Sequence, residues 1–369
     1  MPDLLSIGVT LLLLLVVYLS LDIMGLFNWG NKFQVEGRTV LLTGASYGMG
    51  REIAAQLSSR GASVILVARN VSKLESALAY AQSLAKSPST QRFHLISADV
   101  TSEAENKRLL AEATTWNGGR VPEIVWTNAG SSVPDLLLNT SVETMRSQME
   151  LNYWAAAYLA RETLTAWLYP TTPYSPQSVE KGGQSEAPRH LIFTSSVIAF
   201  VNIAGYAAYG PAKSAMRALA DGLRNEILLY NGARRSSTST GQAPAPFDVN
   251  IHSVFPGTIK SPGFEQENKT KHAVTHLLEA GDPAQSEAEC ATACIQGLEA
   301  GNYSTGTNWL SKLMRVSSLG GTPRNNWVLD ICGQWVASIV WIFVLPDLEG
   351  KVWGWGKKEG MPARKTELS

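Results

Sequence analysis

From Arg38 onward the chain alternates short apolar runs with longer stretches of helical pattern, a rhythm that few architectures accept. The runs are Thr39–Leu42, Val64–Val67, His94–Ser97, Ile124–Trp126, His190–Phe193 and Val249–Phe255, and most precede a helix-length segment. Successive strands joined through helices run parallel, and the crossover helices then cover both faces of the sheet. The fold class expected is therefore α/β, a Rossmann-type doubly wound parallel sheet. Two segments break the rhythm, Thr171–Arg189 and Asn231–Pro246, both rich in Pro, Ser, Gly, Gln and Thr. Because the strand pattern resumes after each, they read as polar surface insertions rather than domain boundaries.

The first run ends in Thr43-Gly44-Ala45-Ser46-Tyr47-Gly48-Met49-Gly50, after which Arg51–Ser59 reads as a helix. Glycines between a strand and a helix allow a tight turn and a close approach of pyrophosphate, and the helix start offers unpaired N–H groups to phosphate oxygens. The spacing is G-x-x-x-G-x-G rather than G-x-G-x-x-G, so the general dinucleotide fingerprint is met only approximately. Position decides the reading: a glycine turn after a strand and before a helix predicts a cofactor site at Gly44, Ser46, Tyr47, Gly48 and Gly50. The second run ends Val67-Ala68-Arg69-Asn70, with no acid between Val64 and Ser72 to hold a ribose hydroxyl. Arg69, with Lys73 and Arg51 assisting, suits a 2′-phosphate, which points to NADPH.

Tyr209 and Lys213 lie four apart in a helical stretch and so share a face. A phenol can deliver a proton to the oxygen of a ketone that accepts hydride, and a nearby ammonium is expected to lower its pKa toward the working range. Ser196 lies thirteen residues before Tyr209 at a strand end, where its hydroxyl can hold the substrate oxygen; its neighbour Ser195 is less suited. A Y-x-x-x-K spacing alone is weak, since any helix carries it by chance. Joined to Ser196 and the glycine turn it is specific.

Thr43–Gly50, Asp99-Val100, Asn128-Ala129-Gly130, Asn152, Ser195-Ser196 and Tyr209-Gly210-Pro211-Ala212-Lys213 follow one another in the order found in the short-chain dehydrogenase/reductase family, which the chain resembles over roughly residues 36–260. Thr127, where many members have a second Asn, is a small departure. The resemblance implies that Asp99 and Val100 meet the adenine ring, that Asn128–Gly130 supports the nicotinamide half, that Ile259 joins the cofactor site, and that Asn152 kinks a helix and links Lys213 to solvent. It also implies a catalytic set of Ser196, Tyr209, Lys213 and Asn152. Ser261–Lys271 and Ala300-Gly301-Asn302-Tyr303 are similar to strings in a membrane-bound branch of the family whose substrate is a long-chain ketone lipid. Another lipid-ketone or hydroxysteroid reductase is the alternative. A catalytically silent NADPH-sensing scaffold fits less well, having no need of a proton-relay set.

The ends of the chain are apolar. Leu4–Leu21 carries no charge, and as a helix its eighteen residues would span about 27 Å, close to the hydrocarbon thickness of a bilayer. It lacks the basic leader and small-residue cleavage site of a signal peptide, so residues 1–25 are expected to be a retained anchor. Lys32 and Arg38 follow the run and nothing basic precedes it, which places the domain on the cytosolic side, expected at the endoplasmic reticulum. A second apolar stretch, Trp327–Pro346, is broken by Asp330 and Gln334 and flanked by basic residues on both sides. It fits a re-entrant or interfacial segment, or a surface-docked amphipathic helix. The expected division is thus an anchor at 1–25, an NADP-binding domain at 36–310, an apolar membrane-associated segment at 311–350 and a polar tail at 351–369. The 31 basic and 31 acidic residues balance, so nothing predicts a nucleic-acid partner. Self-association into a homo-oligomer is left open. Cys290, Cys294 and Cys332 are too few and too late in the chain for a disulfide framework. Cys290 and Cys294, four apart, read as small residues on one helix face with no metal site, in a reducing compartment.

Overall fold

A computed structural model of the chain describes residues 13–14, 16–17, 30–171, 186–236 and 243–364 of the 369. In its first half, β1 (Thr39–Thr43), α1 (Gly48–Ser58), β2 (Ser63–Ala68), α2 (Val71–Ser83), β3 (Phe93–Ser97), α3 (Glu103–Trp116) and β4 (Ile124–Thr127) alternate without interruption. The second half begins with α4 (Val142–Met149), a π-turn at Glu150–Trp154 and α5 (Ala155–Leu168), and continues through β5 (Glu186–Thr194), α6 (Gly210–Ala233) and β6 (Phe247–Phe255). Next come β7 (Ile259–Lys260), α7 (Pro262–Asn268), α8 (Ala273–Glu279), β8 (Gln285–Ser286), α9 (Glu287–Glu299), β9 (Ser304–Gly306), α10 (Trp309–Ser317) and α11 (Trp327–Glu359).

Seven strands form one parallel sheet in the order β3-β2-β1-β4-β5-β6-β9, and β7 pairs with β8 apart from it. Every residue of β1 is buried, as a strand covered on both faces requires. Side chains alternate between two cores. Leu41, Ile65 and Val67 pack with Leu109, Leu159 and Met216 on one face, while Val40, Leu42, Val64 and Leu66 pack with Ile53, Leu74 and Leu298 on the other. Cys290 and Cys294 are fully buried on α9, and the Cys290 Sγ lies 3.3 Å from the Met49 sulfur on α1. Strand order reverses between β1 and β4, which opens a crevice at their carboxyl ends, the binding place of doubly wound sheets.

All six apolar runs are strands of this sheet. The seventh, β9, has only the small residues Ser304, Thr305 and Gly306 and no apolar run to announce it. Its outer edge is closed by Asn325, whose side chain bonds the Ser304 N–H (3.1 Å) and carbonyl (2.6 Å) as a neighbouring strand would. The insertions are shorter than the composition suggests, because β5 already begins at Glu186 and α6 runs on to Ala233. Residues 172–185 and 237–242 lie outside the described residues.

At the N-terminus the structure describes only Leu13, Leu14, Val16 and Val17 of the first apolar run, helical and exposed, so the expected anchor otherwise lies outside the described residues. Arg38, read as a charge flanking that anchor, instead bonds the carbonyls of Pro188 (2.5 Å), Gln34 (3.2 Å) and Glu123 (3.4 Å) at the base of the sheet. At the other end, α11 is a single 33-residue helix, about 50 Å long, that continues through Pro346. The boundary expected at 350 falls inside it, because Val352, Trp353 and Trp355 extend the apolar surface beyond the proline. Among the described residues it alone is long and apolar enough to cross a membrane. Asp330, the charge that breaks its apolar run, is buried against Arg315 of α10; the Arg315 Nη1 bonds Asp330 Oδ2 at 3.1 Å, and its Nη2 bonds Oδ1. Arg315 also reaches the Ser304 hydroxyl (3.2 Å), so one ion pair joins β9, α10 and α11.

Breaking a buried ion pair leaves a charge stranded, whereas replacing both partners by apolar residues often does not. Asp330→Ala should therefore lower the unfolding free energy by about 3–5 kcal/mol, and Arg315→Met with Asp330→Leu should recover most of that loss. Denaturant titration of the detergent-solubilised protein measures both, and a single variant as stable as wild type would contradict the anchoring role.

Candidate active site

The glycine turn closes the carboxyl end of β1 and leaves its backbone bare toward the crevice. Gly44 and Gly48 adopt φ of +66° and +64°, a region costly for residues with a Cβ. A Cβ on Gly50 would lie 2.1 Å from the Gly44 carbonyl oxygen, so only glycine lets α1 start so close to the turn. α2, α3 and α9 begin with side-chain caps from Asn70, Ser102 and Ser286, but Tyr47 gives α1 none. The first N–H groups of α1 are thus left for an anion. Arg69 and Lys73 stand exposed at the end of β2 and the start of α2, and among the described residues neither forms an ion pair; the Lys73 amine lies over the Tyr47 ring. Arg51, expected to assist them, is turned away: it pairs with Glu52 (3.1 Å) and lies over the Tyr80 ring, and it does not line the crevice.

Lys213 on α6 is 2% exposed, and its amine donates to the Thr194 carbonyl at 3.0 Å. The Thr194 hydroxyl accepts from Trp126 Nε1 (2.9 Å) and donates to Asn128 Oδ1 (3.1 Å), so the ends of β4 and β5 are tied where the lysine arrives. Asn152 falls in the π-turn between α4 and α5, an extra residue in the helix that turns its side chain inward. Its amide bonds Ser131 in both directions, Nδ2 to the carbonyl (2.9 Å) and Oδ1 from the N–H (3.2 Å). Tyr209 sits at the start of α6 with its ring 5.6 Å from the Lys213 amine, and Ser196 lines the same cavity.

The electrostatics differ from the sequence expectation. Burial is the dominant influence on both groups: it pushes the Tyr209 phenol above its ordinary value and lowers Lys213 to about 7. Negative charge on Glu267 pushes the phenol up further, and only Ser196 acts to lower it. A protonated phenol is the form that can give a proton away. Tyr209 is therefore held as a protonated phenol rather than as a phenolate.

One cavity of about 660 Å³ collects these groups. It is lined by Gly44, Ser46, Tyr47, Gly48, Gly50, Arg69, Lys73, Asp99, Val100, Asn128 and Ile259 on one side and by Ser196, Tyr209 and Lys213 further in. Asn152 is fully buried and lies behind the wall rather than in it. The Asp99 carboxylate accepts from the N–H (3.1 Å) and hydroxyl (2.8 Å) of Thr101, which fixes its loop. Sequence reasoning missed several residues here. Thr194, next to the expected serines, carried no signal of its own. Trp341, Val344 and Leu348 of α11 also line the cavity, beside Phe264 and Met314, so the C-terminal helix forms one of its walls.

A Cβ on Gly130 would stand 2.8 Å from Asn152 Oδ1 and 3.1 Å from the Lys213 amine. Gly130→Ala should displace the amine and cut turnover more than tenfold, with a smaller effect on thermal stability. Steady-state kinetics beside a melting curve separates the two, and near-normal turnover would mean that the lysine position is not critical.

The family model described as short chain dehydrogenase matches residues 38–272. The 3-ketodihydrosphingosine reductase of Aspergillus fumigatus is 46% identical over 337 residues, covering 91% of this chain and 89% of that protein. The 3-ketodihydrosphingosine reductase of Neurospora crassa is 45% identical over 340 residues, covering 92% and 88%. A solved short-chain type dehydrogenase/reductase from Mycobacterium ulcerans superposes with a TM-score of 0.56 at 22% identity, over 74% of this chain and 89% of that one, a likeness of fold. Glycine turn, buried lysine, tyrosine and serine thus stand on a matching sheet within a matching sequence, and the chain belongs to the short-chain dehydrogenase family, oxidoreductases that use a nicotinamide cofactor.

Proposed function

We propose that this protein reduces the 3-keto group of 3-ketodihydrosphingosine to dihydrosphingosine with NADPH, as a step of sphingolipid synthesis. The observation that carries the substrate class is the cavity that joins Ser196, Tyr209 and Lys213 to an apolar wall from α11. The names of the similar proteins supply the particular ketone.

The residues present suit a dinucleotide: bare turn N–H groups for the pyrophosphate, Asp99 and Val100 for adenine, Asn128 and Ile259 for the nicotinamide half, and Arg69 with Lys73 for a 2′-phosphate. When bound, the cofactor supplies hydride to the carbonyl carbon. The Ser196 hydroxyl holds the carbonyl oxygen, and the Tyr209 Oη gives it the proton. Lys213 faces the phenol and can stabilise the phenolate left behind, while Asn152 braces the strand-end loop at Ser131 that flanks the lysine.

α11 bears on the domain along its length. Asp330 pairs with Arg315 near its start, Trp341, Val344 and Leu348 line the cavity, and Trp355 packs on His272 at 4.9 Å. Just beyond its end, the Ala363 carbonyl accepts from Asn139 (3.3 Å). Meanwhile Trp335, Ile339, Ile342 and Phe343 are 60–73% exposed, an apolar face too large for an ordinary soluble surface. A helix held along its length against the domain suits a position in the membrane interface better than a crossing. We place the protein on the cytosolic side of the endoplasmic reticulum membrane, taking its lipid ketone from the bilayer.

Tyr209→Phe should abolish nearly all turnover, by about 10²–10⁴-fold, while leaving NADPH binding largely intact, since only the hydroxyl enters the chemistry. Fluorescence titration of NADPH beside steady-state rates tests this, and more than about a tenth of wild-type kcat would remove Tyr209 from its role. Arg69→Asp should weaken NADPH about tenfold or more beyond any effect on NADH, through lost pairing and added repulsion at the 2′-phosphate. Equal loss for both cofactors would make Arg69 structural. Oxidation of NADPH by the purified protein with a panel of lipid ketones tests the substrate; turnover of steroid ketones without the sphingoid ketone would move the reading to a hydroxysteroid reductase.

A further inference from the structure

Four carboxylates line the cavity, and three of them are engaged by the protein itself. Asp99 is held by Thr101, and Asp282 accepts from the Thr258 hydroxyl at 3.0 Å. Glu279 accepts from the Tyr206 hydroxyl (2.5 Å) and pairs with the Lys271 amine (2.6 Å). The fourth, Glu267 on α7, is only partly exposed, and its carboxylate accepts no hydrogen bond among the described residues. Its nearest cation is already used: the Lys271 amine is divided between Glu279 and the Asn268 side chain (3.1 Å) and lies over the Phe264 ring at 4.3 Å. A half-buried carboxylate without a partner is costly, and such groups either neutralise or await a cation. Here burial, opposed by Lys271 and reinforced by Glu279, holds the Glu267 carboxyl up at about 7, the value of a site that would ionise fully once a cation arrived. Glu267 and Tyr209 line the same cavity, so a cation held at Glu267 shares that space with the reacting oxygen.

We propose that Glu267 is the specificity residue of this cavity and receives a substrate ammonium carried on the carbon next to the carbonyl. This rests on the reading of the substrate as 3-ketodihydrosphingosine, whose amine occupies that position. An α-amino ketone then binds by two polar anchors a single bond apart, the oxygen at Ser196 and Tyr209 and the ammonium at Glu267, with its chain along the apolar wall. A neutral lipid ketone fills the same wall but leaves Glu267 buried without a partner. The site thereby selects against it, as sites built around a buried polar group reject analogues that lack the matching group.

The test compares kcat/KM for three ketones of one chain length: the 2-amino-3-ketone, its desamino analogue and its N-acetyl derivative. Wild-type protein should favour the amino ketone over both neutral ones by about tenfold or more, the scale of a charge-assisted hydrogen bond. In Glu267→Gln that preference should fall toward unity, and Glu267→Asp, which keeps the charge, should restore part of it. A preference unchanged in Glu267→Gln overturns the assignment, as does equal use of the amino and N-acetyl ketones by wild type. Turnover of neutral lipid ketones with none of the amino ketone overturns both this inference and the substrate reading beneath it. A lost preference in Glu267→Gln, read as the ratio of amino to desamino kcat/KM within that one variant and with the desamino ketone still reduced, leaves the reductase reading untouched and supports the ammonium site alone.

Discussion

The Lys213 amine is bonded to the Thr194 carbonyl in a part of the domain closed to water, and much of the surrounding structure is shaped by that placement. Moving an ammonium out of water is expensive, which is why its pKa falls and why the amine is given a carbonyl to bond. Gly130 has no side chain because one would press on the amine, and Asn152 is turned inward by an extra helical residue that a regular α-helix would not supply. Thr194 serves the lysine with its carbonyl and the cofactor-side Asn128 with its hydroxyl, so the two halves of the site share one residue at the tip of β5. The lysine is therefore a group fixed at the base of the cavity rather than one free to move near Tyr209.

Electrostatics around the phenol set its resting form. Burial and Glu267 both hold Tyr209 protonated, the form that carries the proton a ketone oxygen needs, and both also make it a weaker acid until that balance changes. Only Ser196 acts the other way. On the proposed reaction, a cation that covers Glu267 would remove part of what holds the phenol up at the moment substrate is bound.

Much of this was legible in the sequence. Six strands announced themselves by their apolar runs, and the glycine turn, Arg69, Ser196, Tyr209 and Lys213 by type and spacing, because the backbone geometry each needs leaves few alternatives. β9 was not legible, since its three small residues owe their extended form to β6 on one side and the Asn325 side chain on the other, both tertiary effects. The length of α11 was hidden by Pro346, normally a helix breaker, and by Asp330, which looked like a solvated interruption and is a buried partner of Arg315. Nor could local pattern reveal that the phenol's pKa rises: Y-x-x-x-K spacing brings the lysine near, but only the packed fold shows how dry the site is. Glu267 was printed in the motif string yet looked like any surface acid until its neighbours were seen to be paired with one another.

The double duty of α11 changes what concentration means for this enzyme. One face of the helix closes the cavity through Trp341, Val344 and Leu348, and the opposite face presents Trp335, Ile342 and Phe343 outward. On the proposed placement, with that outer face among lipids, the cavity would draw from a two-dimensional phase, and the quantity that sets occupancy would be the mole fraction of ketone in the leaflet. Diluting the bilayer with inert lipid would then slow the enzyme even though the amount of substrate per volume of solution stayed the same.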